Sequence, residues 1–249
     1  MADLTVIKYE RNGDPEYGLQ DWGTYLPDIV ASGEPLQHGH TYLDTATSIF
    51  SSGVWTCSPH ELVSGPFNVD EFVILLEGSI VIDHESGDSQ RFRSGDSFII
   101  PKGAPIAWKQ DEAVRIYYAV HDDPEIPLES DPELKAIAAD PKAELPAVTG
   151  QDPAMYESEV PEVGRLTLYK DPTGKFQAGV WDCSPMKRMA TTIERSELMH
   201  ILDGSGSITN ADGEVFNFRK GDTFMVPAGM GYQWQNDTHV RKIFCSYAP

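Results

Sequence analysis

The hydrophobic positions of this chain fall in short runs separated by glycine, aspartate and proline. FVILL (72–76) and SFIIP (97–101) are rich in β-branched and aromatic residues and are bounded by Gly and Asp turns. ESGD (85–88) and NADG (210–213) are typical of hairpin turns. Many short strands with regular turns favour an antiparallel barrel or jelly roll, so we predict an all-β fold.

The same pattern occurs twice along the chain. GVWTCSP (53–59) returns as GVWDCSP (179–185), an offset of 179 − 53 = 126 residues. This offset also aligns Glu71 with Glu197, and no gap is needed over residues 50–120. A repeat of this length indicates a duplicated domain, because solenoid units have only about 20–50 residues.

The repeat divides the chain into four parts. These are an N-terminal extension (1–45), a first domain (46–120), an acidic, proline-rich linker (121–150) and a second domain (151–249). Within the linker, Asp131-Pro132 is suited to begin a short helix over DPELKAIAAD.

The composition is that of a soluble globular protein, and the charge narrows the range of partners. The formal charge is 19 − 39 = −20. Lys and Arg form no cluster, so we expect no binding to nucleic acid or membranes. MADLTVIKYE lacks the features of a signal peptide. The chain has three cysteines, Cys57, Cys183 and Cys245. Because an odd number cannot all pair within one chain, we expect reduced thiols in a cytoplasmic protein.

Two motifs in each copy resemble those of a known family. EFVILLEG (71–78) followed by GDSFIIPKG (95–103) is similar to the cupin signature, and ELMHILDG (197–204) with GDTFMVPAG (221–229) is equally similar. With the G-x-W near the start of each copy, the chain resembles the cupin 3 (DUF861) branch, which includes ureidoglycine aminohydrolase-like and ethanolamine-utilisation-type proteins. The resemblance implies a bicupin, with two tandem RmlC-like jelly-roll barrels. We expect a homodimer, because such sheets have edge strands and apolar outer faces that need cover.

The resemblance also raises the question of a metal. Enzymatic cupins bind Fe, Mn, Ni or Zn with HxH, a later Glu and a His after PxG. Glu71 and Glu197 lie at the Glu position. The His positions hold Ser64, Pro66 and Ile106 in the first copy, and Ala190, Thr192 and Tyr232 in the second. The shifted ligand set of the aminohydrolase relatives is also incomplete, with Thr191 and Ile193 at two of its positions. We therefore expect no metal or other cofactor.

Three histidines remain as candidates for chemistry. His38 and His40 form an HxH in the extension, which is either a ligand pair or a solvated loop. His200 lies in the strand ELMHIL, and strand alternation places Glu197 and Met199 inside and His200 outside. That position favours an interface role over that of a catalytic base.

The inner face of each barrel is the predicted ligand site. In GVWxCSP, alternation places the Trp and the Cys together inside, while a second Trp follows the PxG turn. Core packing is the alternative role for the Trp and Cys residues. The ligand-binding candidates are Trp55, Glu71, Trp108, Trp181, Trp234 and Gln233.

A carboxylate facing an apolar barrel costs free energy unless it is paired or neutral. For Glu71 and Glu197, a structural salt bridge to Arg115, Arg241 or Lys242 is one possibility. The other is a general acid or base, or an anchor for a polar ligand.

The second copy is the more polar of the two. Tyr232 and Gln233 stand where the first copy has Ile106 and Ala107. Glu197 and Tyr232 are therefore the candidate catalytic pair.

Three functions are compatible with these residues. The first is a metal-independent bicupin that binds a small polar metabolite and converts it by acid–base chemistry with Glu197 and Tyr232. The second is a non-catalytic sensor or binding protein with the same pocket. The third is a metal-dependent aminohydrolase-like enzyme acting on ureido or amide compounds, which the missing ligands disfavour.

Overall fold

The regular secondary structure of the described residues is almost entirely β-strand and forms two compact units. The structure, a computed structural model, describes residues 4–249. One unit is Glu10–Ala138, the first barrel, and the other is Ala139–Pro249 with the N-terminal segment up to Tyr9, the second barrel. Each barrel has one short 3₁₀ helix in its described residues, Pro27–Ile29 and Pro153–Met155. No helix between residues 4 and 249 has the length and apolar character needed to cross a membrane.

Fourteen strands lie between residues 4 and 138. They are β1 (Ile7–Lys8), β2 (Gln20–Gly23), β3 (Val30–Gly33), β4 (Gln37–Asp44), β5 (Phe50–Cys57), β6 (His60–Leu62), β7 (Gly65–Pro66), β8 (Asp70–Glu77), β9 (Ser79–His84), β10 (Ser89–Arg93), β11 (Ser97–Ile100), β12 (Pro105–Gln110), β13 (Val114–His121) and β14 (Ile137–Ala138).

Ten further strands follow. They are β15 (Val163–Lys170), β16 (Phe176–Cys183), β17 (Met186–Lys187), β18 (Thr191–Thr192), β19 (Ser196–Asp203), β20 (Ser205–Asn210), β21 (Val215–Arg219), β22 (Thr223–Val226), β23 (Gly231–Asn236) and β24 (Val240–Tyr247).

Each barrel consists of two antiparallel sheets around one core. In the first barrel the sheets have the orders β14-β11-β8-β13-β5-β4-β2 and β10-β9-β12-β6-β3, with β7 also pairing with β12. In the second barrel they are β1-β22-β19-β24-β16-β15 and β17-β23-β20-β21, with β18 pairing with β23. The order β11-β8-β13-β5-β4 thus recurs as β22-β19-β24-β16-β15. The predicted all-β fold with a duplicated barrel is confirmed.

Alternating burial on the strands builds each core. On β9, Ile80 and Ile82 are fully buried and face Val73 and Leu75 of β8 in one apolar cluster. Strand side chains alternate between faces, so the residues between them point away from this core.

The glycine that opens each GVW motif has a steric reason. A Cβ on Gly53 would lie 2.2 Å from the carbonyl oxygen of His40, and one on Gly179 would lie 2.1 Å from that of Leu166. Only glycine lets the neighbouring strand approach so closely.

The N-terminal extension contributes strands to the barrels. Its residues from Glu10 onward form β2, β3 and β4, and β4 pairs with β5 from Gln37 to Asp44. The preceding segment supplies β1, which pairs with β22 at the edge where β14 pairs with β11 in the other barrel. The extension adopts strands although it contains turn-forming sequences such as RNGDPEYG (11–18), because edge strands with free backbone groups need partners.

The prediction of a short helix over DPELKAIAAD (131–140) in the linker is wrong. The Asp131 side chain accepts a hydrogen bond from the backbone N–H of Glu133 at 2.9 Å, forming an Asx turn. Ile137 and Ala138 then pair with β11. An aspartate that can cap a helix can equally close a turn, and here the turn leads into an edge strand.

Candidate functional site

Both barrels contain the predicted tryptophan pair. The ring centres of Trp55 and Trp108 are 6.3 Å apart in an edge-to-face arrangement, and those of Trp181 and Trp234 are 6.0 Å apart. Such pairs are favoured by the ring quadrupoles. The Trp108 indole also donates a hydrogen bond to Gln110 Oε1 at 2.9 Å, so this wall of the first barrel is held in place.

The first barrel has an interior cavity with a volume of about 480 Å³. This is within the range of about 300–1,000 Å³ typical of small-molecule sites. Six of the twelve lining side chains are aromatic, and among the described lining residues Glu71 is the one carboxylate. The lining is formed by Trp22, Tyr25, Thr41, Ser51, Trp55, Leu62, Phe67, Glu71, Trp108, Ile116, Tyr118 and Val120.

Glu71 is a carboxylate without a protein counter-ion. It lies on β8 between Ile100 and Val120 of the neighbouring strands. Its side chain makes no hydrogen bond or ion pair with any residue in the described range 4–249. Burial in the apolar barrel raises the pKa of Glu71 to about 7. Near neutral pH this group is therefore ready to gain or lose a proton.

Two tyrosine hydroxyls border the same cavity. Burial raises the pKa of Tyr118 to about 12, opposed by a hydrogen bond with Thr41 and assisted by the charge of Glu71. The Tyr118 and Thr41 hydroxyl oxygens are 3.1 Å apart. Burial, with Glu71 nearby, also raises the pKa of Tyr25. Both phenols stay protonated and supply hydrogen-bond donors to the cavity.

Several of these lining residues come from the extension, and sequence reasoning missed them. Trp22 and Thr41 lie on β2 and β4, and Tyr25 lies in the loop after β2. The Trp22 ring packs so closely over Gly39 that a Cβ there would lie 2.4 Å from it. A signal was present, because Trp22 is the one tryptophan outside the two repeats. His40, by contrast, does not line the cavity. Its ring packs edge-to-face against that of Tyr42, with 4.6 Å between the ring centres.

The second barrel has a smaller cavity of about 140 Å³. This volume is below the usual range for a drug-sized ligand. Its lining is more charged than that of the first cavity, as the sequence predicts. It consists of Arg165, Trp181, Met186, Arg188, Ile193, Glu197, Met199, Tyr232, Trp234, Lys242 and Phe244.

A lysine fills the space beside Glu197. Lys242 Nζ lies 2.6 Å from Glu197 Oε1, and Lys242 is only 6% exposed. The same ammonium lies 4.7 Å from the ring centre of Trp181 and 5.1 Å from that of Trp234, which are cation–π distances. Of the two possibilities for Glu197, the structure therefore shows the salt bridge, with Lys242 as the partner.

The two arginines considered as partners bind elsewhere. Arg115 Nη1 lies 3.2 Å from Glu77 Oε1, and Arg241 Nη1 lies 2.9 Å from Asp182 Oδ2. Neither reaches the glutamate of its own barrel interior.

The remaining candidates of the second barrel are separated by strand alternation. The Tyr232 hydroxyl accepts a hydrogen bond from Arg188 Nη1 at 3.2 Å, and burial raises the Tyr232 pKa. Gln233 does not line the cavity, and its amide donates to Glu157 and to the Arg188 backbone. His200 lies outside the core cluster beside Thr223, and burial lowers its pKa.

All three cysteines are buried, and none forms a disulfide bond within residues 4–249. Burial raises the pKa of Cys57 and of Cys183 to about 11. Neither sulfur lines its cavity, so both act as core residues.

The donors around the barrels do not fit a cupin metal. Within the part of the chain that the structure describes, no three His, Cys, Asp or Glu side chains lie close enough together to hold a metal ion. In the first barrel the family's His positions carry Ser64, Pro66 and Ile106, which provide no imidazole for a borderline metal. A single carboxylate is a poor ligand set.

Comparison with known proteins agrees with the fold. The model of the EutQ-like cupin domain matches residues 45–118 and 170–244. No curated protein matches the chain. A DUF861 protein of unknown function from Pseudomonas syringae pv. tomato has a similar structure, with a TM-score of 0.78 at 19% identity over 98% of this chain and 100% of that one.

Two further solved structures are similar. A cupin 2 conserved barrel domain protein from Leptotrichia buccalis has a TM-score of 0.60 at 12% identity, covering 88% of this chain and 92% of that one. Protein Ylba from E. coli, of the DUF861 family, has a TM-score of 0.54 at 15% identity, covering 97% and 93%. At such identities the likeness concerns the fold alone. Since the family model matches both barrels, this chain belongs to the EutQ-like cupin family and carries the cupin domain twice.

Proposed function

We propose that the first barrel binds a small organic ammonium compound without a metal. The ammonium group lies at Glu71 between Trp55 and Trp108, and the organic body fills the aromatic cavity around them. The Glu71 carboxylate supplies the charge that such a cation needs.

The observation that carries this proposal is the internal ammonium of the second barrel. There, Lys242 places its Nζ against Glu197 and over the faces of Trp181 and Trp234. The second barrel thus displays a carboxylate and two indoles holding an ammonium group. The first barrel keeps the carboxylate and the two indoles at the same repeat positions.

What the first barrel lacks is the lysine. Ile116 pairs with Trp55 across β13 and β5, just as Lys242 pairs with Trp181 across β24 and β16. An isoleucine cannot reach or neutralise Glu71, so the carboxylate stays unpaired and the cavity stays open. A ligand ammonium would restore the arrangement of the second barrel.

The energetics favour a cation with an apolar body. An ammonium over an indole is worth about 0.5–2 kcal/mol, more when it is desolvated. A carboxylate buried without a partner is costly, and an incoming cation removes part of that cost. The cavity volume of about 480 Å³ corresponds to about 16 water molecules at ~30 Å³ each. A ligand with one aromatic ring and a short chain therefore fits.

Any proton transfer in this proposal takes place at Glu71. Its pKa of about 7 suits exchange with a ligand at neutral pH, whereas Glu197 is held in an ion pair. The Tyr25 and Tyr118 hydroxyls border the same space and can orient a polar substituent.

Calorimetric titration of the purified protein at pH 8 tests the proposal. Phenethylamine serves as the probe, and 2-phenylethanol is its neutral counterpart of nearly equal size. We expect phenethylamine to bind one equivalent, and 2-phenylethanol to bind about tenfold more weakly or not at all, since it gains no ion pair.

Two variants complete the test. Glu71→Gln should weaken phenethylamine binding about tenfold or more, while Glu85→Gln, which changes the same charge in an exposed turn, should leave it unchanged. Equal affinity for the amine and the alcohol, or full binding by Glu71→Gln, would contradict the proposal.

A further inference from the structure

The charges lining the second cavity do not balance. Three cations, Arg165, Arg188 and Lys242, face one carboxylate, Glu197. Lys242 and Glu197 neutralise each other at 2.6 Å. Two guanidinium groups are therefore left over, in a chain whose formal charge is −20.

Arg165 has no anionic partner in the described part of the chain. Its guanidinium carbon lies 4.6 Å from the centre of the Phe244 ring, which holds it against the barrel wall. Its side chain takes part in no hydrogen bond or ion pair with residues 4–249. Its donors are free to bind a ligand.

Arg188 is only partly satisfied. Its Nη1 donates to the Tyr232 hydroxyl at 3.2 Å, a neutral acceptor. Its Nε is buried and has no hydrogen-bond acceptor among the described residues. A buried donor of a charged group without an acceptor costs free energy, which a bound anion would recover.

These donors are special to the second barrel. The first barrel has Gly39 at the position of Arg165, since each pairs with the first tryptophan of its repeat. The 126-residue offset places Leu62 at the position of Arg188. Packing of the fold therefore does not require either arginine, and both are additions to this cavity.

We propose that the second barrel binds a small organic monocarboxylate between Arg165 and Arg188. Arginine presents a planar fork of donors that matches a carboxylate in a bidentate pair. The lining also includes the apolar side chains of Met186, Ile193 and Trp181, which suit a short hydrocarbon body. At ~30 Å³ for each water, 140/30 corresponds to about 5 water molecules, which limits the ligand to a few carbon atoms.

The apolar walls argue against inorganic phosphate. Phosphate has oxygens on all sides, and any oxygen turned toward the Trp181 ring face or the Met186 side chain would find no hydrogen-bond donor there. A carboxylate has its polar atoms at one end only.

Titration of the full chain with sodium propionate, at fixed ionic strength and pH 7.5, tests this site. We expect saturable binding of one propionate per chain. Arg165→Gln and Arg188→Gln should each weaken it about tenfold or more, because each removes a charged pair. Lys220→Gln is the control, since Lys220 is an exposed lysine outside the cavity and carries the same charge.

The outcomes separate the alternatives. Inorganic phosphate at the same ionic strength should bind more weakly than propionate. Absence of saturable propionate binding by the wild-type protein overturns the proposal whether or not the variants fold. Propionate binding that survives in both folded arginine variants, or phosphate binding more tightly than propionate, overturns it as well. Glu71→Gln changes the amine site of the first barrel and leaves the second cavity intact. Propionate binding therefore tests the second site independently of the amine site.

Discussion

Ile116 and Lys242 occupy equivalent places in the two barrels. Each lies directly across from the first tryptophan of its repeat, Trp55 or Trp181. The lysine fills the second barrel with its own ammonium, and the isoleucine leaves Glu71 alone in a larger cavity. This exchange decides whether the glutamate of each cavity has an internal cation as its partner.

Supplying the first barrel with its own lysine should close the amine site. In Ile116→Lys, the new ammonium lies within reach of Glu71 as Lys242 does of Glu197, and we expect phenethylamine affinity to fall about tenfold or more. Ile116→Met is the matched control, because it keeps the size and adds no charge. Wild-type affinity in the lysine variant, measured by calorimetry, would show that the ligand does not use this position.

Glu71 should lower the free energy of unfolding of the protein at neutral and alkaline pH. Its pKa rises from 4.5 in the unfolded chain to about 7 in the folded one, so between these values the folded state binds more protons and stability falls as pH increases. Above pH 7 the cost reaches about 3 kcal/mol at most, at about 1.4 kcal/mol per pKa unit, less whatever water in the cavity screens. Glu71→Gln removes this cost.

Urea unfolding at pH 4 and pH 8 measures the effect. The variant should match the wild-type protein at pH 4 and exceed its free energy of unfolding at pH 8. A difference that is the same at both pH values would mean that Glu71 titrates normally.

Amine binding should depend on pH through the same group. The ammonium stays protonated to about pH 10, as for lysine, so only the ionisation of Glu71 changes below neutrality. The association constant for phenethylamine should rise about tenfold per unit up to roughly pH 7 and then level off. The slope should vanish in Glu71→Gln, and a wild-type profile that is flat between pH 5 and pH 8 would exclude Glu71 as the anchor.

Removing Lys242 should strongly destabilise the second barrel. Lys242→Met leaves Glu197, whose side chain is 22% exposed, without its cation, and we expect a cost near the lower end of the about 3–5 kcal/mol typical of a fully buried pair. The double variant Lys242→Met with Glu197→Gln should recover most of this loss, because no lone charge remains. Lys220→Met, at an exposed position, should change the free energy of unfolding by no more than about 0.5 kcal/mol. Thermal unfolding of the wild-type protein and the three variants measures these differences. A Lys242→Met variant as stable as the wild type would contradict a stabilising role for the pair of Lys242 and Glu197.

The cysteines should be inert in the folded protein. With a pKa of about 11, Cys57 and Cys183 carry a thiolate at pH 8 in only about one molecule in a thousand, and all three sulfurs are buried. A colorimetric thiol reagent should therefore titrate three thiols in urea and almost none in native buffer. Rapid native labelling of one or two thiols would reveal an open path into a barrel.

The sequence was sufficient to predict the duplicated barrel and much of its interior. The fixed offset between the two copies located both tryptophan pairs and both glutamates. The sequence also indicated Lys242 as one possible partner of Glu197. These features depend on strand alternation and on local motifs, which a sequence displays directly.

Two features of the site depended on information that a sequence does not display. Trp22 and Tyr25 reach the first cavity because the extension pairs with the barrel edge, a long-range contact hidden by its turn residues. The polarity of the second copy favoured Glu197 and Tyr232 as catalytic residues. In the structure, Lys242 and Arg188 bind these two groups and occupy part of the space. Free volume emerges from packing, not from composition.

The most direct measurement is a crystal structure of the protein with phenethylamine at pH 8. The account predicts one molecule in the first barrel, with its ammonium in hydrogen-bond contact with the Glu71 carboxylate and flanked by Trp55 and Trp108. Saturating amine with no ligand in the first barrel, or a ligand whose ammonium points away from Glu71, would contradict it.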